Sequence, residues 1–235
     1  MITLVHVSPH EKFRGVFWVK SEEGERPATL NLTPGKRFYG EELLEYGGAE
    51  YRVWSTFRSK IAAAILKKIK ELPIAPRITL LYLGVASGTT CSHVSDIVGA
   101  EGHIFGVDFA PRALRDFIEN LARVRSNVSP ILADARSPLS YRMLVSKVDT
   151  IYSDVAQPDQ AKIMVDNAEV YLRSGGWGMM AIKARSIDVT EEPSVLYDRE
   201  VEYLRSHGFT ILDLVSLEPY EKDHAMVVAQ FQKDY

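Results

Sequence analysis

Ile78-Thr79-Leu80-Leu81-Tyr82-Leu83-Gly84-Val85-Ala86-Ser87-Gly88-Thr89-Thr90 reads as a strand that runs into a loop of small residues and leaves it as a helix. Gly84, Ala86 and Gly88 let a ligand approach the backbone, and Thr89, followed by Thr90, can begin the helix. By itself the loop fits an ordinary tight strand-to-helix turn equally well. Its surroundings carry the reading further. Strands are expected at 104–107, 128–133, 148–153 and 177–182, alternating with helices from Thr89, from Pro111, after Pro138, over 158–172 and over 193–206. Such alternation requires right-handed crossovers and a largely parallel sheet covered by helices on both faces. The end of the chain breaks the rhythm. Strands at 209–217 and 225–231 are separated by a linker too short for a helical crossover, so the last strand must run antiparallel.

Ahead of this unit, residues 2–7, 13–19 and 29–32 alternate polar and apolar, with turn-forming residues between the runs. They predict a small antiparallel β unit. A helix over 55–71, with Phe57, Ile61, Ile65 and Ile69 four apart, is stopped by Pro73 and Pro76 and joins the two parts. The expected organisation is a small N-terminal β domain over 1–54 and a larger α/β domain over 55–235. A mostly parallel, Rossmann-like sheet finished by a C-terminal antiparallel hairpin is the arrangement of S-adenosylmethionine-dependent methyltransferases.

The 235 residues, 46% hydrophobic and 25% charged, suit one sizeable domain with a small appendage. No run approaches the roughly 20 apolar residues of a membrane helix, and no secretory pattern opens the chain, so a soluble, cytoplasmic protein without membrane contact is expected. Cys91 is the single cysteine, which excludes an internal disulfide and a multi-thiolate zinc site; a buried apolar role is expected of it. The net charge of −3 hides an excess of +4 over residues 1–70 and of −7 over the remainder. A protein that gripped nucleic acid unaided would be more basic. Either its substrate is not a polyanion or something else holds it.

In an open parallel sheet, ligands bind beyond the carboxyl ends of the strands where strand order reverses. Three strands after the loop end on acids: Asp108, then Asp134 with Ala135, then Asp154. Asp108 can accept hydrogen bonds from two ribose hydroxyls, as in a nicotinamide enzyme also, and Asp134 is placed to meet an adenine amino group or to cap a following helix. A nicotinamide-dependent oxidoreductase fits the first two strand ends. It leaves the terminal hairpin unexplained, and the loop lacks Gly-x-Gly-x-x-Gly.

Glu50-Tyr51-Arg52-Val53-Trp54 with Arg58-Ser59-Lys60-Ile61-Ala62-Ala63-Ala64, Tyr82 through Thr90, Ser153-Asp154-Val155-Ala156-Gln157-Pro158, and Glu218-Pro219-Tyr220-Glu221-Lys222-Asp223-His224-Ala225 together resemble fibrillarin, over nearly the whole chain. The resemblance implies a guide-directed RNA 2'-O-methyltransferase of the archaeal type, acting on rRNA or tRNA with S-adenosylmethionine (SAM) as cofactor and no metal. It implies a box C/D ribonucleoprotein, with a Nop-type scaffold protein, a kink-turn-binding ribosomal-type protein, guide RNA and target RNA as partners. Base pairing and partner proteins would then supply most of the RNA affinity that the charge balance withholds.

Carried onto this chain, the family's cofactor contacts fall on Thr89 and Thr90, Asp108 and Phe109, Asp134 and Ala135, and on Asp154, Val155, Ala156 and Gln157, beside Gly84, Ala86 and Gly88 of the loop. The family usually has glutamate at Asp108 and proline at Thr56; the second departure is expected to alter only the helix start. Its Lys-Asp-Lys-His tetrad falls on Lys60, Asp154, Lys183 and His224. Lys183 lies just past an apolar strand, where partial burial and Lys60 favour a neutral amine while Asp154 favours the ammonium. Sequence does not rank the two effects. Lys60 could bind a phosphate or the ribose oxygen, and His224 could orient or polarise. Arg58, Lys67, Lys68 and Lys70 could extend a basic strip from Lys60, or form a solvated helix face. A non-enzymatic ribonucleoprotein scaffold remains the alternative to an enzyme; it would not need all four tetrad residue types.

Overall fold

A computed structural model describes residues 5–22 and 24–232. Five antiparallel strands come first: β1 (His6–Pro9), β2 (Val16–Ser21), β3 (Gly24–Leu30), β4 (Leu43–Tyr46) and β5 (Ala49–Val53), in the order β1-β2-β3-β5-β4. The first expected strand falls partly on residues 2–4, which lie outside the described residues. Sequence reading missed β4 and β5. Gly47 and Gly48, at φ 59° and 79°, join them with Tyr46 opposite Ala49. Two positive φ values in a two-residue turn match the twist of a hairpin, and glycine is the residue that takes them without strain.

The joining helix is shorter than expected. The helix α1 spans Lys60–Leu66, with Ser59 as N-cap accepting the Ala62 N–H, and Lys68 at φ 60° ends the helical run. Thr56 therefore sits in the turn before the cap rather than at the helix start, and Phe57 lies outside the helix.

The larger sheet holds β6 (Thr79–Leu83), β7 (His103–Asp108), β8 (Val128–Leu132), β9 (Val148–Ser153), β10 (Leu172–Lys183), β11 (Phe209–Ser216) and β12 (His224–Phe231), in the order β11-β12-β10-β9-β6-β7-β8. The strands from β8 to β10 run parallel, and β12 is antiparallel to both β10 and β11. Strand order reverses between β6 and β9. Sequence placed β10 at 177–182; it starts earlier and its register slips before Trp177, across Gly175 and Gly176.

The intervening helices are α2 (Thr89–Val98), α3 (Pro111–Phe117), α4 (Gln160–Tyr171), α5 (Ala184–Ile187) and α6 (Pro193–Ser206). A π-turn over Ile118–Ala122 extends α3, while the helix expected after Pro138 is one 3₁₀ turn, Pro138–Tyr141. Alternate strand residues divide between two cores, as the pleat dictates. Leu80, Tyr82, Tyr152 and Met179 pack with α1 and α2, whereas Leu81, Leu83, Ile151 and Met180 pack with α4 and α6. Cys91 is buried and free. Among the described residues no helix is long and apolar enough to cross a membrane.

A buried charge cluster fixes the N-terminal sheet on α2. Arg52 of β5 reaches Glu41 at 2.6 Å and Asp96 of α2 at 2.7 Å, and Arg125 reaches Asp96 at 2.7 Å. Thr29 donates to Asp96 and faces the His93 ring at 2.8 Å, and Arg52 also donates to Ser92. Burying two guanidiniums is tolerable only because each meets a carboxylate.

Candidate active site

The reversal of strand order places the ends of β6 and β9 side by side. The Asp154 N–H donates to the Leu83 carbonyl at 2.9 Å. Gly84 follows at φ 79°, and a Cβ there would stand 2.9 Å from the Asp154 carbonyl oxygen. This close approach, rather than a ligand alone, requires glycine at position 84.

Two elements converge on Asp154. The Lys183 Nζ, at the end of β10, lies 2.8 Å from its Oδ1 and donates to its main-chain carbonyl at 2.7 Å. The Lys60 Nζ, in the first turn of α1, lies 3.3 Å from the same Oδ1. All three side chains are about six-sevenths buried. His224 faces Lys183 directly in the antiparallel register, so the two side chains share one face of the sheet. Its Nδ1 lies 2.6 Å from the Lys222 carbonyl. A carbonyl only accepts, so a proton sits on Nδ1 and Nε2 is the ring nitrogen left to face a substrate. Lys60, Asp154 and Lys183, far apart in sequence, thus meet at one spot, with His224 opposite Lys183 on the neighbouring strand.

Beside them opens a cavity of about 230 Å³. Gly84 and Ala86 form its loop wall, Asp108 and Phe109 its β7 rim, Ala133, Asp134 and Ala135 its β8 side, and Asp154, Val155, Ala156 and Gln157 its β9 side, with Ile163 and Lys183 behind. Asp108 is nearly buried; it accepts the Ala86 N–H at 2.8 Å and the Ala110 N–H at 2.9 Å, which ties the loop to β7. Asp134 is half-buried and chelated by Arg136, whose side-chain and backbone hydrogen bonds hold its carboxyl below the usual carboxylate range. It caps no helix; its carboxylate takes the Arg136 N–H two residues on.

Gly88, Thr89 and Thr90 stand outside the cavity lining. Gly88 caps α2 in the left-handed region, and a Cβ on it would meet the Phe117 ring at 2.6 Å. Thr90 is buried and donates to the Ser59 hydroxyl at 3.1 Å. Ser59, quoted in the sequence motif but given no role there, is therefore the link between the loop and Lys60. Gln160 was missed as well: fully buried, its amide both donates to and accepts from the Lys183 backbone, at 3.0 and 2.9 Å, and so fixes the end of β10. No signal in the sequence marks Gln160, because its burial is set by tertiary packing.

The basic strip is not continuous. Lys67, Lys68 and Lys70 lie at the far end of α1 from Lys60, roughly 10 Å along the axis for seven residues. Arg58 turns over the Tyr39 ring, with its Nη1 donating to the Tyr39 carbonyl at 3.2 Å.

Comparison with known proteins adds to this geometry. The fibrillarin family model matches residues 7–233. The fibrillarin-like rRNA/tRNA 2'-O-methyltransferase of Staphylothermus marinus is 53% identical over 234 residues, covering 99% of this chain and all of that one. The fold is similar to that of Aeropyrum pernix fibrillarin, solved with natively bound S-adenosyl-L-methionine, at TM-score 0.89 and 54% identity, covering 97% of this chain and 100% of that one. It is also similar to fibrillarin in a fibrillarin/Nop5p complex, at TM-score 0.84 and 37% identity, covering 94% and 100%.

Proposed function

The chain belongs to the fibrillarin family and is a SAM-dependent RNA 2'-O-methyltransferase, and we propose that it acts as the catalytic subunit of a box C/D ribonucleoprotein in which guide RNA selects the ribose. The observation that carries the reading is the convergence of Lys60 and Lys183 on Asp154 at the switch point, beside the cavity. Residues 1–54 serve as a small β domain and 55–235 as the methyltransferase domain. The Nop-type protein seen with a relative is taken as its direct partner, and a kink-turn-binding protein completes the particle in the cytoplasm.

The residues present suit the cofactor. Gly84, Ala86, Ala133 and Ala135 leave the cavity open to an extended nucleoside, Asp108 offers free lone pairs to ribose hydroxyls, and the exposed Phe109 ring offers a stacking face. Asp134 and Ala135 stand where adenine is recognised, and Asp154 through Gln157 flank the other end. SAM supplies a methyl group activated on a positively charged sulfur.

The protein's own tasks are alignment and proton management. Methyl transfer is an in-line displacement, and holding the 2'-oxygen in line can lower the barrier by up to about 7–11 kcal/mol in ideal cases. Lys60 binds the incoming ribose oxygen or its phosphate, Asp154 holds both lysine side chains in place, and Lys183, acting as the unprotonated amine, receives the hydroxyl proton and becomes the ammonium. His224, with its Nδ1 fixed on a carbonyl, orients or polarises through Nε2. The nicotinamide reading has no place in this family, and a scaffold without chemistry would have no use for the Asp154 cluster.

The test is reconstitution with the Nop-type protein, the kink-turn protein and one guide, followed by transfer of labelled methyl from SAM to a guide-matched RNA. Label is expected in the matched RNA and absent when the target already carries a 2'-O-methyl group at that nucleotide. Equal labelling with a mismatched guide would remove guide direction from the reading.

A further inference from the structure

Phe57 stands 71% exposed, yet its ring is held: it meets Tyr220 edge to face at 5.6 Å. Tyr220 is anchored in turn, donating its N–H to the Leu217 carbonyl at 2.9 Å and packing against the core of the larger domain. The pair joins the two segments that deliver chemistry. Phe57 precedes Lys60 by three residues, across the Ser59 cap, and Tyr220 precedes His224 by four in the same linker. Neither ring lines the cavity. They form a fixed aromatic ridge between the segment that leads into Lys60 and the linker that leads into His224.

The charge around the ridge says what it suits. The linker carries Glu218, Glu221 and Asp223 against Lys222, and Arg58, adjacent to Phe57, is turned onto Tyr39. Asp223 is paired with Arg185 at 3.0 Å, so Glu218 and Glu221 face Lys222 alone and no cluster of free cations is offered to a phosphate, whereas an uncharged, C–H-rich surface can pack on the rings. In A-form duplexes the 2'-hydroxyls lie along a wide, shallow minor groove, beside the ribose faces.

We propose that Phe57 and Tyr220 pack against the riboses flanking the methylated nucleotide, in the minor groove of the guide–target duplex, and so hold its 2'-oxygen at Asp154 and Lys183. The proposal rests on the guide-directed reading above. Every nucleotide presents the same ribose, so the ridge leaves the choice of base to the guide.

The experiment uses the reconstituted particle with Phe57→Ala and Phe57→Trp, saturating SAM and a guide-matched target. Losing one packed aromatic ring should lower kcat/KM for the RNA about tenfold. SAM affinity, thermal midpoint and assembly with the Nop-type protein should stay within twofold or a degree or so, and Phe57→Trp should restore most of the loss. A second arm replaces each flanking nucleotide of the target by an acyclic one, which removes the ribose ring. This should slow the wild type and add nothing to Phe57→Ala, the signature of a shared contact. Equal kcat/KM for Phe57→Ala and the wild type, equal slowing of both by the acyclic target, or a loss explained wholly by failed assembly would each overturn the proposal, the last by assigning the ring to a protein partner. Methylation by the wild type irrespective of guide overturns the guide-directed reading itself; a guide-dependent particle indifferent to Phe57→Ala overturns the ridge alone.

Discussion

Replacing Asp96 by alanine removes the anion that two buried guanidiniums share. Its Oδ2 accepts Arg52 Nη1 at 2.7 Å and the Thr29 hydroxyl at 2.8 Å, while its Oδ1 takes Arg125 Nη2 at 2.7 Å and the Leu32 N–H at 3.1 Å. Without it, Arg52 and Arg125 face Glu41 alone, so a neutral interior acquires one uncompensated positive charge. His93 adds none, because burial and both guanidiniums hold its pKa well below 6.5. Breaking a buried pair in this way costs about 3–5 kcal/mol, against a total stability of roughly 5–15 kcal/mol. At about 2–4 °C per kcal/mol for a chain of this size, the thermal midpoint should fall by roughly 6–20 °C. Scanning calorimetry on the isolated protein measures it, with Glu119→Ala as control, since its partner Arg123 is 63% exposed and the pair should be worth less than about 1 kcal/mol. A drop for Asp96→Ala no larger than the control's would refute the claim that this cluster fixes the N-terminal sheet.

Three further outcomes are expected. Lys183→Ala should abolish methylation while calorimetric SAM affinity changes by no more than a few fold; substantial remaining turnover removes Lys183 from proton transfer. Asp108→Glu, although it reaches further toward a ribose, lifts the carboxylate off the Ala86 and Ala110 N–H groups and should weaken SAM binding about tenfold, an orphaned buried N–H costing roughly 1–3 kcal/mol; unchanged affinity would show that the two contacts are dispensable. Acid should destabilise the fold in two stages. His93 is depressed in the folded state, so its contribution is complete above 6.5 and declines as the pH falls below that value. Glu41 follows below 4.5: burial pushes its carboxyl up, but Arg52 and backbone N–H groups outweigh burial and leave it lowered. A midpoint that stays flat from pH 7 to 4 would contradict both signs.

Strands and acids at strand ends were legible because their causes are local. The apolar run before Gly84 gives β6, a linker of seven residues forces the antiparallel β12, and Asp108, Asp134 and Asp154 fall at the strand ends where a parallel sheet opens. Helix lengths were less legible, because tertiary packing ends a helix before propensity does. The expected span 55–71 shrank to Lys60–Leu66 once Ser59 capped it and Lys68 adopted a left-handed conformation. Contacts between distant segments left no local trace. Nothing near Arg52 in sequence announces Asp96, and nothing near Thr90 announces Ser59.

That last pair links the glycine-bearing loop to the Asp154 cluster. Thr90 engages the hydroxyl that caps α1, so the loop before α2 and the lysine at the start of α1 are held as one unit. Ion pairs also bear on the charge asymmetry. Of the basic excess over residues 1–70, Arg52 is buried against Asp96, Lys60 pairs with Asp154 and Lys70 with Asp213, all three acids lying in the remainder of the chain. An excess consumed within the fold offers no broad surface for a phosphate backbone, whose binding strength grows with each cation it meets. On the function proposed above, the chain presents one aligned cluster to a ribose and leaves the polyanion around it to be held by partners and by base pairing.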